Sequence, residues 1–159
     1  MKRILVCGIG NRIMGDDGFA QHVLEFLGNE LPDNVESGDF GTASLTIAND
    51  LCDYDAVIFV DAIRKGGKPG TIYEFEIKKD DVREDVDALR DLFSFSFHES
   101  GLEEMIIFAK KINCLPDRVF LIGCEPGDIK PGLELSKEVG ASVAKVANRI
   151  IDLIEKLSN

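Results

Sequence analysis

Three short apolar runs, each followed by a glycine or an aspartate, set the strongest limit on what this chain can fold into. They lie in ILVC at residues 4–7, DAVIFV at 55–60 and RVFLI at 118–122. A strand with one face in water alternates apolar and polar residues, whereas a continuous apolar run is typical of a strand covered on both faces. The runs therefore predict the central strands of a mostly parallel sheet.

Weaker strand patterns and helical patterns occupy the intervals between these runs. Strands are predicted at 34–40 and 70–77, and helices at 17–31, 43–51, 100–113 and from Val139 to Leu157. Only residues 64–69 separate strand 70–77 from the strand that ends at Val60, which is too short for a parallel crossover. We therefore expect these two strands to pair antiparallel, with 70–77 near an edge of a mixed sheet.

The alternation of strands and helices predicts the fold class. It is typical of a three-layer α/β/α sandwich, here with a twisted, mostly parallel mixed sheet of about five strands. The length of 159 residues fits a single domain spanning 1–159. Ser100 with Glu103 forms a capping box for the third helix, and Ser136 is a candidate N-cap for the last one. Ligands of such folds bind beyond the carboxyl ends of the strands.

Charge and composition exclude several classes of partner. The chain has 29 Asp and Glu against 18 Lys and Arg, and this net charge of −11 would repel a nucleic acid backbone. No stretch approaches the ~18 apolar residues of a membrane span. The cysteines lack a C-x-x-C spacing, so we expect all four to be unpaired, as in a cytoplasmic protein. They are Cys7, Cys52, Cys114 and Cys124.

The glycine-rich motif GIGNRIMGDDGF at residues 8–19 raises the question of a phosphate site. A dinucleotide fingerprint has glycine at its first, third and sixth positions, but the sixth position here is Ile13. A Walker loop ends in Gly-Lys-Ser/Thr, whereas Gly15 precedes Asp16 and Asp17, whose charges would repel a pyrophosphate. The motif therefore does not favour phosphate binding.

Two other catalytic motifs are incomplete. The chain has no G-x-S-x-G, and Ser44 stands in a loop without a hydrolase signature. HESGL at 98–102 begins like a zinc-peptidase helix, but Leu102 occupies the position of the second histidine. The sequence therefore favours neither a serine hydrolase nor a zincin.

The strongest candidate is a metal site formed by acidic residues that are far apart in the sequence. Asp17 lies in the loop after the first strand, Asp39 ends the second strand and Asp61 follows the third. Carboxyl ends of parallel strands meet at one edge, where converging acids are stabilised by a shared cation. His98 precedes a capped helix. Two carboxylates and one imidazole suit zinc, iron, manganese or nickel better than calcium.

Each of these residues also has a structural interpretation. Asp16 is most simply the N-cap of the helix 17–31, and Asp17 is favourable in its first turn. Asp39 can be a turn residue that binds nearby amides, and His98 can be a hydrogen-bonding loop residue. Asp61 is the hardest to explain in this way, because a buried carboxylate needs partners or a metal.

Five motifs, in one order along nearly the whole chain, resemble the hydrogenase maturation endopeptidases. They are GIGNRIMGDDGF, DFGT at 39–42, VDAI at 60–63, HESGL at 98–102 and GCEPGDIKPGLELS at 123–136. The resemblance implies an α/β/α sandwich. It also implies that Asp17, Asp61 and His98 are the metal-binding and catalytic residues, with Asp16 and Asp39 as supporting positions.

The resemblance implies an activity and a partner. The chain would remove the C-terminal extension of a nickel-iron hydrogenase large-subunit precursor once nickel has been inserted. The nickel would come from the substrate's active site, although the isolated protein could bind another divalent metal. HESGL and GCEP suggest a deazaflavin-reducing hydrogenase as the client. The alternatives are a noncatalytic metal-sensing or metal-delivery module and, on Gly8 and Gly10, a nucleotide-dependent oxidoreductase.

Overall fold

A computed structural model describes residues 2–42, 45–82 and 101–159, and its centre is a five-stranded sheet. The strands are β1 (Ile4–Gly8), β2 (Val35–Asp39), β3 (Ala56–Ala62), β4 (Ile72–Lys78) and β5 (Arg118–Cys124). Their order is β2-β1-β3-β5-β4, and all neighbours are parallel except β4 and β5. The predicted mixed, mostly parallel sheet is confirmed.

Helices cover both faces of the sheet. They are α1 (Phe19–Leu27), α2 (Ile47–Asp50), α3 (Leu102–Lys111), α4 (Lys137–Gly140) and α5 (Val143–Ser158), with 3₁₀ turns at Gly15–Gly18, Leu51–Asp53 and Lys79–Asp81. Apolar residues of α1 and α5 form one core with one face of the sheet, and those of α2 and α3 form a second core with the other. This arrangement is the three-layer sandwich that the sequence predicts.

Burial separates the central strands from the edge strands. All residues of β1 are buried, whereas β2 and β4 expose several of theirs. The continuous apolar runs therefore mark β1, β3 and β5, because only strands with a neighbour on each side and a helix layer on each face need no polar positions. The prediction that strand 70–77 lies at an edge is confirmed.

The predicted pairing of β4 with β3 is wrong. β4 is antiparallel, but to β5, which lies between it and β3. The apolar β5 takes the interior position, and the half-exposed β4 is left at the edge. The connection from Ala62 to Ile72 has only to cross two strand spacings of about 4.8 Å each, which a loop of this length spans easily.

All four predicted helices are shorter or divided in the structure, and the second, predicted at 43–51, is α-helical only from Ile47 to Asp50 among its described residues. The first one ends at Leu27, because Gly28 adopts a positive φ of 59°, and residues 28–34 run without a helix to β2. The last one is divided into α4 and α5 at residues 141–142. α3 begins at Leu102 after Gly101, and the predicted capping residue Ser100 lies outside the described residues.

The expectation of four unpaired cysteines is wrong for two of them. Cys52 and Cys114 form a disulfide, whereas Cys7 and Cys124 are free and buried. The 3₁₀ turn that holds Cys52 and the chain after α3 lie side by side, although 62 positions separate them in sequence. Cysteine usage therefore no longer supports the expected reducing cytoplasm.

None of the helices in residues 2–42, 45–82 and 101–159 combines the length and the apolar composition that crossing a bilayer requires.

Candidate active site

The glycine-rich turn after β1 joins the ends of three strands. The amide of Ile9 donates to the carbonyl of Val60 at 2.8 Å, and the amide of Gly10 donates to the carbonyl of Gly41 at 2.8 Å. Gly10 has a φ of 148°, and a Cβ there would collide with the backbone oxygen of Asp17. These amides are used within the protein, which agrees with the prediction that the motif is not a phosphate cradle.

Asp17 lies in the 3₁₀ turn Gly15–Gly18, between this glycine-rich turn and α1, and is half-buried. Its Oδ2 accepts a hydrogen bond from the amide of Asn11 at 3.1 Å, and its backbone oxygen accepts from the same amide at 3.1 Å. The turn therefore holds the carboxylate at the carboxyl edge of the sheet, where the sequence predicts it.

Asp61 is the last residue but one of the buried strand β3 and is 2% exposed. It pairs in register with Gly123 of β5, where a side chain would collide with the Asp61 backbone oxygen. Burial, and then the negative charges of Asp61 and Asp39, raise the pKa of the Cys7 thiol. The negative charges of Asp61 and Asp39 therefore both act on Cys7, near the end of β1.

Asp39 ends β2 and bonds to α1. Its Oδ1 accepts from Nε2 of Gln21 at 2.9 Å and from the amide of Gly41 at 2.9 Å, so it has the turn role that one interpretation predicts. The bond to Gln21 places it on the face covered by α1, whereas strand alternation places Asp61 with Phe59 on the opposite face. Asp39 and Asp61 thus share the sheet edge but leave the sheet on opposite faces.

The structure brings Asp17, Asp39 and Asp61 to one edge, but the carboxylates do not assemble a metal centre by themselves. Within the described ranges there is no group of three or more His, Cys, Asp or Glu side chains that could hold a metal ion. His98 falls in residues 83–100, outside those ranges. The ligand set of Asp17, Asp61 and His98 therefore stays a prediction.

Asp16 has a role that the sequence analysis missed, and its predicted N-cap role is wrong. It is 1% exposed and makes no capping bond. Its carboxylate accepts from the amides of Gly127, Asp128 and Ser136 at 2.8, 3.1 and 2.7 Å, and from the Ser136 hydroxyl at 2.8 Å. Asp16 therefore fixes both ends of the loop 127–136, and Ser136, the candidate N-cap, donates to it.

Glu125 is a further buried carboxylate, and it was not among the predicted site residues. It is 4% exposed, and its Oε1 accepts from the amides of Lys65 and Gly67 and from the Tyr73 hydroxyl at 2.8, 2.9 and 2.8 Å. Burial, followed by this bond to Glu125, raises the pKa of Tyr73 to about 12. A signal existed, because Glu125 directly follows the buried strand β5.

A cavity of about 460 Å³ opens beside the Asp17 turn. Gly15, Lys130, Leu133 and Ser136 are among the residues that line it. The amide of Gly15 donates to the carbonyl of Gly132 at 2.9 Å, so the turn and the loop 127–136 are joined along one wall. The cavity therefore lies between Gly15 and the loop 127–136, and Asp17, Asp39 and Asp61 are not among its lining residues.

Comparison with known proteins identifies the family. The family model HycI, hydrogenase maturation protease, matches residues 22–153. The chain belongs to the hydrogenase maturation protease family. Its relatives include the hydrogenase 2 maturation protease of Escherichia coli, which is 31% identical over 94% of this chain and 88% of that protein. HupD of Rhizobium leguminosarum is 35% identical over 80% of this chain. The chain spans 61% of the length of that HupD.

Solved structures of this family have the same fold. A hydrogenase 2 maturation peptidase from a Thaumarchaeota archaeon is 42% identical, with a TM-score of 0.74 over 96% of this chain and 98% of that one. The hydrogenase maturating endopeptidase HybD from E. coli has a TM-score of 0.81 at 26% identity, over 97% of this chain and 93% of that one. The family and fold that the sequence motifs indicate are confirmed.

Proposed function

We propose that this protein is an endopeptidase that removes the C-terminal extension of a nickel-iron hydrogenase large-subunit precursor after nickel insertion. The observation that carries the proposal is the position of Asp17 and the buried Asp61 at one sheet edge, in a chain of the hydrogenase maturation protease family. The similar E. coli and Thaumarchaeota proteins are a maturation protease and a maturation peptidase.

Recognition depends on the substrate's own nickel in this proposal. Asp17, Asp61 and His98 complete the coordination of nickel already bound in the precursor, since carboxylate and imidazole are suitable ligands for it. A precursor without nickel cannot form these bonds, so it binds more weakly. Binding thereby distinguishes the loaded precursor from the empty one. The bonds to nickel form only with the loaded precursor, so its affinity is higher.

Hydrolysis adds water across one peptide bond of the precursor. The attacking water must lose a proton, and the leaving amide nitrogen must gain one. Asp17 or Asp61 can accept the first proton on a carboxylate oxygen that does not bind nickel and return it to the leaving nitrogen, while the substrate's nickel would polarise the carbonyl or the water.

Alanine variants of the three proposed ligands test the proposal. Asp17→Ala, Asp61→Ala and His98→Ala should each lose processing of a nickel-loaded precursor, measured as the mass of the large subunit. Asp152→Ala, at an exposed position of α5, is the matched control and should process normally. Normal cleavage by the Asp17 and His98 variants would overturn the assignment.

The same assay separates peptidase activity from the noncatalytic alternative. A metal-sensing or metal-delivery module would bind nickel or the precursor and leave the large subunit at full length. A deazaflavin-reducing hydrogenase is the first client to test, because HESGL and GCEP suggest it. We place this reaction in the cytoplasm in spite of the Cys52–Cys114 disulfide, which is a feature more common in oxidising compartments, and cell fractionation is the measurement that checks it.

A further inference from the structure

The loop between β3 and β4 carries the densest positive charge in the chain. Arg64, Lys65 and Lys68 fall within five residues, and no other window of five residues holds three Lys or Arg. All three are exposed, and the segment 62–73 contains no acid, although the whole chain has a net charge of −11. This cationic loop is therefore a local reversal of the protein's overall charge.

The cationic loop lies at the proposed active site. β3 ends at Ala62, one residue after Asp61, and the loop begins directly beyond it at the carboxyl edge of the sheet. A macromolecule that reaches Asp61 from this edge has to approach the loop as well. The loop thus has the position of a docking element that borders the site.

The backbone of the cationic loop is held in one conformation. Glu125 accepts from the amides of Lys65 and Gly67, and the amide of Gly70 donates to the Glu125 carbonyl at 2.9 Å. The Ser142 hydroxyl donates to the carbonyl of Gly70 at 2.6 Å. A preformed loop loses little conformational entropy when a partner binds, which favours a role in recognition.

Among the described residues, no carboxylate neutralises the positive charges of the loop. In the part of the chain that the structure describes, neither Arg64 nor Lys65 nor Lys68 forms an ion pair with a carboxylate. The Lys65 ammonium lies 5.8 Å from the ring centre of Tyr73 and 5.2 Å from that of Phe75. Such cation–π contacts orient the ammonium and leave its charge available to a partner.

The same hydrogen bonds indicate what kind of anion fits. Phosphate sites in loops rely on free backbone amides, whereas the amides of Lys65, Gly67 and Gly70 already donate to Glu125. These three amides are therefore not available to a ligand, and the positive side chains are spread over an exposed loop. This arrangement suits carboxylates distributed along a polypeptide better than a single compact phosphate.

We propose that the cationic loop docks an acidic segment of the precursor protein and steers it to the active site. This inference rests on the proposed function, since it takes the precursor as the partner. Without the loop, a partner with acidic surface would be repelled by the enzyme's net negative charge. Opposite charges at the site edge accelerate association and fix orientation, and salt weakens both effects.

A double charge reversal tests the proposal. Arg64→Glu/Lys68→Glu should slow association with the nickel-loaded precursor about tenfold at low ionic strength, and the deficit should shrink at high salt. Arg149→Glu/Lys156→Glu changes the same charge at exposed positions of α5 and should associate within about twofold of the wild type. Thermal unfolding of both variants checks that they fold.

A crosslinking measurement gives a readout that is independent of cleavage. A carbodiimide joins a lysine amine to a carboxylate in direct contact, so Lys65 or Lys68 should be linked to Asp or Glu of the precursor, and Lys156 should not. Equal association rates for the two double variants would overturn the inference, and so would displacement of the precursor by millimolar inorganic phosphate. If wild-type protein binds the precursor and never shortens it, the proposed function fails, and the loop can still be judged by the binding data.

Discussion

Two loops at the same edge of the sheet are each held by one buried carboxylate, and they use it differently. Asp16 binds the loop 127–136 through both of its oxygens, at residues 111 to 120 positions away. Glu125 binds the cationic loop through Oε1 alone. The loop 127–136 displays acidic, basic and apolar side chains, including Leu133 at 60% exposure, whereas the cationic loop displays one sign of charge.

Burial and the number of hydrogen-bond donors separate the structural acids at this edge from the proposed catalytic residue Asp17. Asp16 and Asp17 are neighbours in sequence, yet Asp16 is buried among four donors, and Asp17 is half-buried at the edge. A buried carboxylate that accepts several protein hydrogen bonds is stable without a metal. Burial together with donors from distant loops therefore marks Asp16 and Glu125 as anchors.

Removing the Asp16 anchor should have the largest effect on stability. Asp16→Ala leaves four partly buried donors without their acceptor, and we expect a loss of about 5 kcal/mol in the free energy of unfolding. Asp17→Ala is the matched control and should cost less than about 1 kcal/mol, because the residue is only half-buried. Urea denaturation measures both. If Asp16→Ala does not fold, Asp16→Asn should lose roughly half as much, and equal stabilities for the Asp16 and Asp17 variants would contradict the division.

The disulfide is a reference for the stability effects of the two carboxylates, because it stabilises the fold without bonding to either loop. Bonding Cys52 to Cys114 closes a loop with a sequence separation of 62 residues. Restricting the unfolded chain in this way is worth about 4 kcal/mol in the entropic model. Reductant should therefore lower the unfolding midpoint of the wild type and leave Cys52→Ser/Cys114→Ser unchanged. Four titratable thiols in the native protein before reduction would contradict the bond.

Neutralising the Glu125 anchor should have a smaller effect. Glu125→Gln keeps an acceptor oxygen for the donors of the cationic loop but removes the charge, so we expect a loss of about 1.5 kcal/mol. Asp16→Asn should cost more, because Asp16 uses both oxygens, and an amide group would face the amide of Ser136. Urea denaturation of this pair compares the two loops directly, and the reverse order would contradict our account of them.

The smallest effect should appear in the titration of the tyrosines. Burial, then hydrogen bonds to Glu125 and Glu36, raise the pKa values of Tyr73 and Tyr54 to about 12. Because the folded pKa exceeds the unfolded value of about 10, each contributes stability below about pH 10 that is lost as pH rises through about 12. Tyrosinate absorbance follows the titration. Glu125→Gln should lower the pKa of Tyr73 alone, and a shift of Tyr54 in that variant would contradict the separate assignments.

Local pattern in the sequence predicts the layers and strands of this fold. The runs at 4–7, 55–60 and 118–122 are visible because burial on both faces leaves no polar position in a strand. Strand ends likewise predict Asp17 and Asp61 at one edge, as found. The resemblance to the family assigns His98 to the same site. His98 lies outside the described residues, so its position remains a prediction.

Contacts between distant residues are not visible in this way. The bonds of Asp16, the neighbour of β4 and the pairing of Cys52 with Cys114 each join segments that have no common local pattern. Asp16 stands directly before the predicted helix 17–31, which is a position typical of an N-cap. Only the tertiary contacts show that its carboxylate binds the loop 127–136 and does not cap a helix. Glu125 is the exception, because a carboxylate directly after a buried strand is a signal that sequence analysis can use.

The disulfide between Cys52 and Cys114 makes a covalent ring of the chain from the 3₁₀ turn before β3 to the end of α3. That ring contains Asp61, the cationic loop and His98. A single backbone cut anywhere inside it opens the ring but releases no fragment. A nicked molecule therefore keeps both pieces in one unit, and only reduction of the disulfide separates them.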